Sequence, residues 1–356
     1  MIFDNNPLLI KRIKELVDTN TINMNVADLL LEAFNYVDLF DQERIAQLTK
    51  EGLDEKSAIL EILYDFYGLE HNKENDEVMN YYFFNNLKRL NRDDYFNNQY
   101  VKAVKNTGKY GKYNLKYLTY APYQLFAYDD IKMDGYKENS QIGYFDRNFS
   151  YLALCQGDSV WMSLNPNEIE TMKPFIEKGK GHVLILGLGM GYVPYMLSLN
   201  DKVKSITIVE KDQEVISLFE KLIYPNFTNK SKIKIIKGDA IEFTRKAQKE
   251  GRYDYIFADL WHDPNDGLEL FVKLKKINKA IDCWLNVSMY ALLRRCMITL
   301  LEEQLNGYQE EDYKYHKTYT DKVINNYYHK TKNLLLASEE DLHALLSDDN
   351  LLSLLN

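Results

Sequence analysis

Val183-Leu184-Ile185-Leu186-Gly187-Leu188-Gly189-Met190-Gly191-Tyr192 is the stretch on which the reading of this chain turns. An apolar, strand-like run enters three glycines at alternate positions and leaves them as a helical pattern. Glycine lets the backbone turn tightly and come close to a bound group, and the start of a helix offers N–H groups that have no partner of their own. The spacing is G-x-G-x-G. It is not the G-x-G-x-x-G of nicotinamide enzymes, whose third glycine would fall at Tyr192.

Outward from this turn the pattern repeats. Strand-like runs occur at 182–186, 205–209, 232–236, 253–258 and 283–287, with helical periodicity in every gap. Such alternation implies an α/β unit, a Rossmann-like, doubly wound, mostly parallel sheet, placed at 173–305. Three acids follow the second, third and fourth runs. Glu210 lies 21 positions after Gly189, where an ionised acid can accept both hydroxyls of a ribose. Asp239 is placed to accept from an adenine amino group. Asp259 stands at the carboxyl edge, where open α/β sheets do their chemistry.

The flanks differ in texture. Residues 1–91 read as a helical N-terminal domain: Leu8, Leu9, Ile13 and Leu16 recur at helical spacing, Asp54 fits an N-cap, and Gly68 suits a helix stop. Residues 92–172 form a Tyr-rich connecting segment with β-hairpin structure at 142–145, 151–154 and 160–163. A helix is expected to start near Asn165 or Asn167, with Glu168 and Glu170 in its first turn. Residues 306–356 read as a helical C-terminal extension that includes a Ser338/Asp341 capping box. The N-terminal helices are expected either to cap a pocket or to mediate homodimerisation.

Bulk properties set the class. A chain of 356 residues exceeds the size at which one core usually stops growing. The net charge of −9 argues against a nucleic-acid binder. The run Lys102, Lys105, Lys109, Lys112 and Lys116, interleaved with tyrosines, is read accordingly as a solvated face. Cys155, Cys283 and Cys296 are too scattered for a disulfide framework or zinc ribbon and fit small buried hydrophobes, so no metal is expected. The start of the chain lacks the pattern of a signal peptide, and no run is long enough to span a membrane, so the cytoplasm is the expected address.

The series Gly187–Gly191, Glu210, Gly238-Asp239 and Asp259 resembles the class I S-adenosylmethionine-dependent methyltransferases, and more narrowly their spermidine-synthase-like branch. Ile185, apolar where many methyltransferases carry an acid, and the segment 142–172 with Asn167-Glu168 carry the narrower likeness. The resemblance spans roughly residues 140–296. It implies S-adenosylmethionine, or its decarboxylated form, held by Gly187, Leu188, Gly189, Gly191, Glu210, Lys211, Asp239, Ala240, Asp259 and Trp261, with Asp259 and His262 as catalytic candidates. Asp259 would orient or deprotonate an attacking amine, His262 could act as a base because imidazole titrates near neutrality, and Trp261 would stack on adenine or pack under its loop.

Two departures shape the expected chemistry. Spermidine synthases carry an acid in the glycine loop for the amine of the decarboxylated donor, and here that position is Met190. Their D-S-x-D-P motif is Asp259-Leu260-Trp261-His262-Asp263-Pro264 here, one residue longer. The expectation is methyl transfer to an acceptor, small molecule or protein, that the sequence does not identify. Aminopropyl transfer is the alternative, and a non-catalytic nucleotide-binding module the second alternative.

Overall fold

The computed structural model describes residues 1–3, 6–314 and 317–355. The sequence readings at Asp4 and Asn5, and at Tyr315, His316 and Asn356 of the C-terminal extension, lie outside the described residues. Strand β1 (Ile2–Phe3) leads into the long helix α1 (Pro7–Asn35), which starts where Asn6 accepts from the N–H groups of Leu8 and Leu9. Helices α2 (Gln42–Lys50), α3 (Glu55–Tyr67) and α4 (Lys73–Val78) follow. Asp54 caps α3 through the Ser57 N–H, and Gly68 ends it in the left-handed conformation, as the sequence pattern requires. The buried side of α1 changes partner along its length. Leu9, Ile13 and Leu16 join the main core, whereas Val26, Leu30 and Ala33 join a second core with α2 and α3.

Between the helices and the parallel sheet lies β-structure. Strand β2 (Leu87–Arg89), the short helices α5 (Arg92–Phe96) and α6 (Gln99–Ala103), and strands β3 (Gly108–Tyr110), β4 (Tyr113–Tyr120), β5 (Phe126–Asp134), β6 (Lys137–Tyr144), β7 (Phe149–Gln156) and β8 (Ser159–Ser163) come in this order. They form two sheets, β2-β6-β5 and β3-β4-β7-β8. The strand β2 pairs parallel with β6, so the first 91 residues are not purely helical: their last segment is an edge strand of the neighbouring unit. Helix α7 (Pro166–Lys178) begins at Asn165, whose side chain accepts from the Glu168 N–H.

The remaining elements are β9 (Gly181–Leu186), α8 (Tyr192–Ser198), β10 (Val203–Glu210), α9 (Gln213–Leu218), β11 (Ile233–Lys237), α10 (Ala240–Glu250), β12 (Tyr255–Ala258), α11 (Pro264–Ile277), β13 (Asp282–Cys283) and α12 (Asn286–Leu305). Helix α13 (Tyr319–Thr331), strand β14 (Leu335–Leu336), and helices α14 (Glu339–Leu345) and α15 (Asp348–Ser353) complete the described chain. The five strands β9–β13 are all parallel, in the order β11-β10-β9-β12-β13. This is a doubly wound, Rossmann-like sheet, and the order reverses at β9. Right-handed crossovers then send successive helices to opposite faces on the two sides of that strand, and a crevice opens at the carboxyl edge.

One strand differs from its expectation. The apolar run 283–287 is strand only over Asp282–Cys283; Leu285 adopts φ +52° and the chain turns into α12. The reason is tertiary. Asp130, in the middle of β5, accepts from the Val287 N–H (3.0 Å) and the Ser288 hydroxyl, and so caps the new helix from outside. The same junction is tied by a bidentate pair from Arg295 on α12 to the buried Glu138 on β6, with Nε to Oε1 at 2.8 Å. The termini close on each other as β1 pairs parallel with β14. Among the described residues no helix is long and apolar enough to cross a membrane.

The glycine turn is sterically forced. Gly187 has φ +96°, and a Cβ there would lie 1.9 Å from the carbonyl oxygen of Asp259. Gly191 has φ +77°, and a Cβ there would lie 2.3 Å from the Phe219 ring. Gly187→Ala combines the strain of a positive φ with a backbone clash, and is expected to destabilise the chain by about 3 kcal/mol or more in urea unfolding.

Candidate functional site

Hydrogen bonds carry the parallel ladder one residue past each strand. The Gly187 N–H donates to Val209 O, Gly238 to Glu210 O, Asp259 to Leu186 O and Trp284 to Ala258 O, at 2.9–3.0 Å. The glycine turn and the acids after β10, β11 and β12 therefore stand side by side along one edge. They line a cavity of about 1010 Å³ closed on its other side by β4, β5, β8 and α7. Every predicted site residue lies on this wall: Gly187, Leu188, Gly189, Gly191, Glu210, Lys211, Asp239, Ala240, Asp259, Trp261 and His262.

Local contacts orient several of these side chains. Glu210 accepts from the Leu188 N–H through Oε2 (3.1 Å) and from the Asp212 N–H through Oε1 (2.8 Å). These bonds fix the carboxylate, and each oxygen keeps a second lone pair for a ligand hydroxyl. Asp239 caps α10, with Oδ1 accepting from the Glu242 N–H at 2.9 Å, which leaves Oδ2 for an outside donor. Trp261 is only 5% exposed, packed over Gly267, where a Cβ would lie 2.4 Å from the indole. It therefore forms part of the wall from beneath its loop. The glycine loop itself is held from α6, where the buried Tyr100 hydroxyl donates to the Met190 carbonyl.

The sequence reading missed the acids that face this edge. In the sequence Glu168 stands as a first-turn residue of a helix and, with Asn167, as part of the family resemblance, but not as a site residue. The fold turns it into the cavity beside Asp259. Asp129 and Asp130 of β5, Asp212, and Asp266 of α11 line the same space, as does Trp161 of β8. No linear spacing connects β5 or α7 to the parallel sheet, so only their docking reveals the cluster. Of the lysine run, Lys112 at the β3–β4 turn reaches the cavity, its Nζ 3.6 Å from Asp212. Asp263 lies off the wall: its side chain caps α11.

Electrostatics single out two groups. The Asp259 carboxyl is pushed up to about 7 by loss of water, with His262 pulling the other way and Glu210 adding to the rise. Glu168 is raised well above its ordinary value, first by desolvation and then by the Asp259 charge. Two acids that share a water-poor wall cannot both ionise cheaply.

This has a sign that can be checked. The native state holds the Asp259 proton up to about pH 7, while the unfolded chain releases it near 3.8. The stabilising contribution is full below that lower value and vanishes as pH rises through the upper one. Asp259→Asn removes the titration, so its melting temperature should gain on the wild type between pH 5 and pH 8, by several degrees. An equal difference at both pH values would contradict the raised carboxyl.

Comparison with known proteins follows the same geometry. The family model described as "Spermine/spermidine synthase domain" matches residues 167–284, about a third of the chain. A search of curated proteins finds no match. Among solved structures, spermidine synthase from Thermotoga maritima is 16% identical over 41% of this chain and 59% of its own, with a TM-score of 0.28. A putative S-adenosylmethionine-dependent methyltransferase from Streptococcus mutans is 15% identical over 36% of each chain, TM-score 0.27. A spermidine synthase in complex with the transition-state analogue AdoDATO is 16% identical over 41% of this chain and 58% of its own, TM-score 0.28. This chain thus spans less than two thirds of the first of these relatives. The parallel sheet, its glycine turn and the family match together give this segment the class I methyltransferase-like, spermidine-synthase-like fold.

Proposed function

We propose that the chain is a transferase that moves an alkyl group from the sulfonium of an S-adenosyl donor to an amine, with S-adenosylmethionine as donor and methyl as the group moved. The observation that carries this reading is the alignment of Gly187–Gly191, Glu210, Asp239 and Asp259 along one sheet edge, over a cavity walled by further acids. Glu210 would hold the ribose hydroxyls, Asp239 the adenine amino group, and the backbone of 187–191 the tail of the donor. Small-molecule sites run to roughly 1,000 Å³, so the cavity has room for a second reactant beside the nucleoside.

The bound donor supplies an electrophilic carbon on a positively charged sulfur. The residues of this chain do the rest. Asp259, with its proton affinity raised towards neutrality, accepts a proton from the incoming ammonium, so that the nitrogen lone pair becomes available. Glu168 and Asp259 together attract cations to the wall and hold the amine in line with the sulfonium carbon. As the new N–C bond forms, the S–C electrons return to sulfur and the positive charge passes to nitrogen. The positive charge thus remains on the nitrogen beside Glu168 and the protonated Asp259, along the wall made by β4, β5, β8 and α7.

A second reading, aminopropyl transfer, is favoured by Glu168. The glycine loop carries Met190 and no acid, and its N–H groups favour a donor carboxylate, which supports ordinary S-adenosylmethionine. Glu168 brings to the wall a carboxyl that would ionise on pairing with the ammonium of a decarboxylated donor.

Calorimetry decides both points. Glu210→Ala should weaken S-adenosylmethionine by about 2 kcal/mol, roughly 30-fold, and undetectable binding to the well-folded wild type would remove the basis of this function. Between the two donors under one buffer, S-adenosylmethionine should bind more tightly. A tenfold preference for the decarboxylated form would make aminopropyl transfer the better reading.

A further inference from the structure

A proton taken up by Asp259 needs a route to water, and the loop after β12 carries an imidazole that lines the same cavity. In Asp259-Leu260-Trp261-His262-Asp263-Pro264, the second acid serves the backbone. Asp263 accepts from the N–H groups of Asn265 (2.7 Å) and Asp266 (3.2 Å) as the cap of α11. Asp266 answers by accepting from the Asp263 N–H (3.1 Å) and the His262 N–H (3.0 Å), and its Oδ2 lies 2.8 Å from His262 Nδ1. An ionised carboxylate only accepts, so the ring carries a proton on Nδ1 and, when neutral, Nε2 is its basic nitrogen. Trp161 of β8 holds the ring from the side, edge to face, with centroids 4.7 Å apart. Among the described residues Nε2 has no hydrogen-bond partner. The imidazole lines the same cavity as Asp259, yet its side chain is 45% exposed. One group thus touches both the reaction space and solvent.

We propose that His262, oriented by Asp266, is the proton outlet of this site: it acts through Asp259, taking over the proton that the acceptor amine gives up and passing it to solvent. The inference rests on the transfer reading above. An ammonium and a sulfonium enter, and a thioether and an alkylated ammonium leave, so one proton is released per turnover. The amine N–H breaks as the Asp259 O–H forms, and that proton then moves to His262 Nε2, directly or through a water. The imidazolium, still bonded to Asp266, loses it to the medium and returns to its starting tautomer. His262 is a positioning and relay residue; Asp259 is the group that meets the amine. The charged groups that line the cavity with His262 are Asp266 from α11, Asp259 after β12, Asp239 after β11, Glu210, Lys211 and Asp212 at the end of β10, Asp129 and Asp130 of β5, Glu168 from α7 and Lys112 from the β3–β4 turn.

Two measurements on the full chain test this separately from the function it rests on. The first needs no turnover. Nitrogen-15 NMR of the imidazole follows the titration of His262 in the wild type and in Asp259→Asn and Asp266→Asn. The expected results are a displaced ring titration when Asp259 is neutralised, and loss of the single tautomer when Asp266 is. An unchanged His262 titration in Asp259→Asn overturns the relay, whether or not activity is found. The second uses both donors with a panel of primary amines. His262→Gln should lower kcat at least tenfold near neutral pH while the donor Kd stays within twofold, and added imidazole should restore rate to His262→Ala. A full rate in His262→Gln, or loss confined to donor affinity, would also overturn the proposal. Absence of turnover with every donor–amine pair would instead sink the transfer reading, and the NMR result would still decide whether the two groups share a proton.

Discussion

The close crossing of two chain segments at the carboxyl edge of the sheet governs the rest of the site. β9 and β12 are neighbours, and the chain leaving β12 passes so near the turn after β9 that the Asp259 carbonyl occupies the place of a side chain on Gly187. Only a residue without a Cβ permits that approach, and only a positive φ sends the chain on into α8. The crossing brings Asp259 against the glycine loop at a set distance, with Ile185 and Leu186 packed beneath both. Tyr100 and Phe219 then hold the loop from its other sides, through the Met190 carbonyl and under Gly191.

A second consequence is electrostatic. Packing β5, β8 and α7 over the edge closes the cavity and removes water from the acids around it. A carboxylate stripped of water and without a cation is costly, so the half-buried Glu168 and Asp259 hold protons more tightly than exposed acids do. The same groups would release that cost on meeting a positive charge. Other acids in this region have partners already. Asp130 caps α12, Asp212 accepts from the Tyr113 hydroxyl at 2.8 Å, and Glu138 is paired with Arg295. These partnered acids tie the sheets together, and Asp130 and Asp212 do so from the cavity wall itself.

What the sequence by itself determined is local. The alternation of apolar runs and helical periods specified the parallel sheet, since each strand must be buried on both faces and each crossover must be long enough for a helix. Caps at Asp54, Asn165 and Ser338 and the stop at Gly68 were readable because side chain and backbone bond within three or four residues. The glycine turn and the acids after β10, β11 and β12 were readable for a related reason: in a doubly wound sheet, every residue just past a strand lands on the same edge. Tertiary structure alone decided the rest. The run after Cys283 became helix because Asp130, more than 150 positions earlier, caps it. Glu168 became a partner of Asp259, and His262 a ring held between Asp266 and Trp161, because α7 and β8 dock on that edge. Contacts of that kind depend on how finished elements pack, and packing is set by shape and burial across the whole chain, which no spacing along it records.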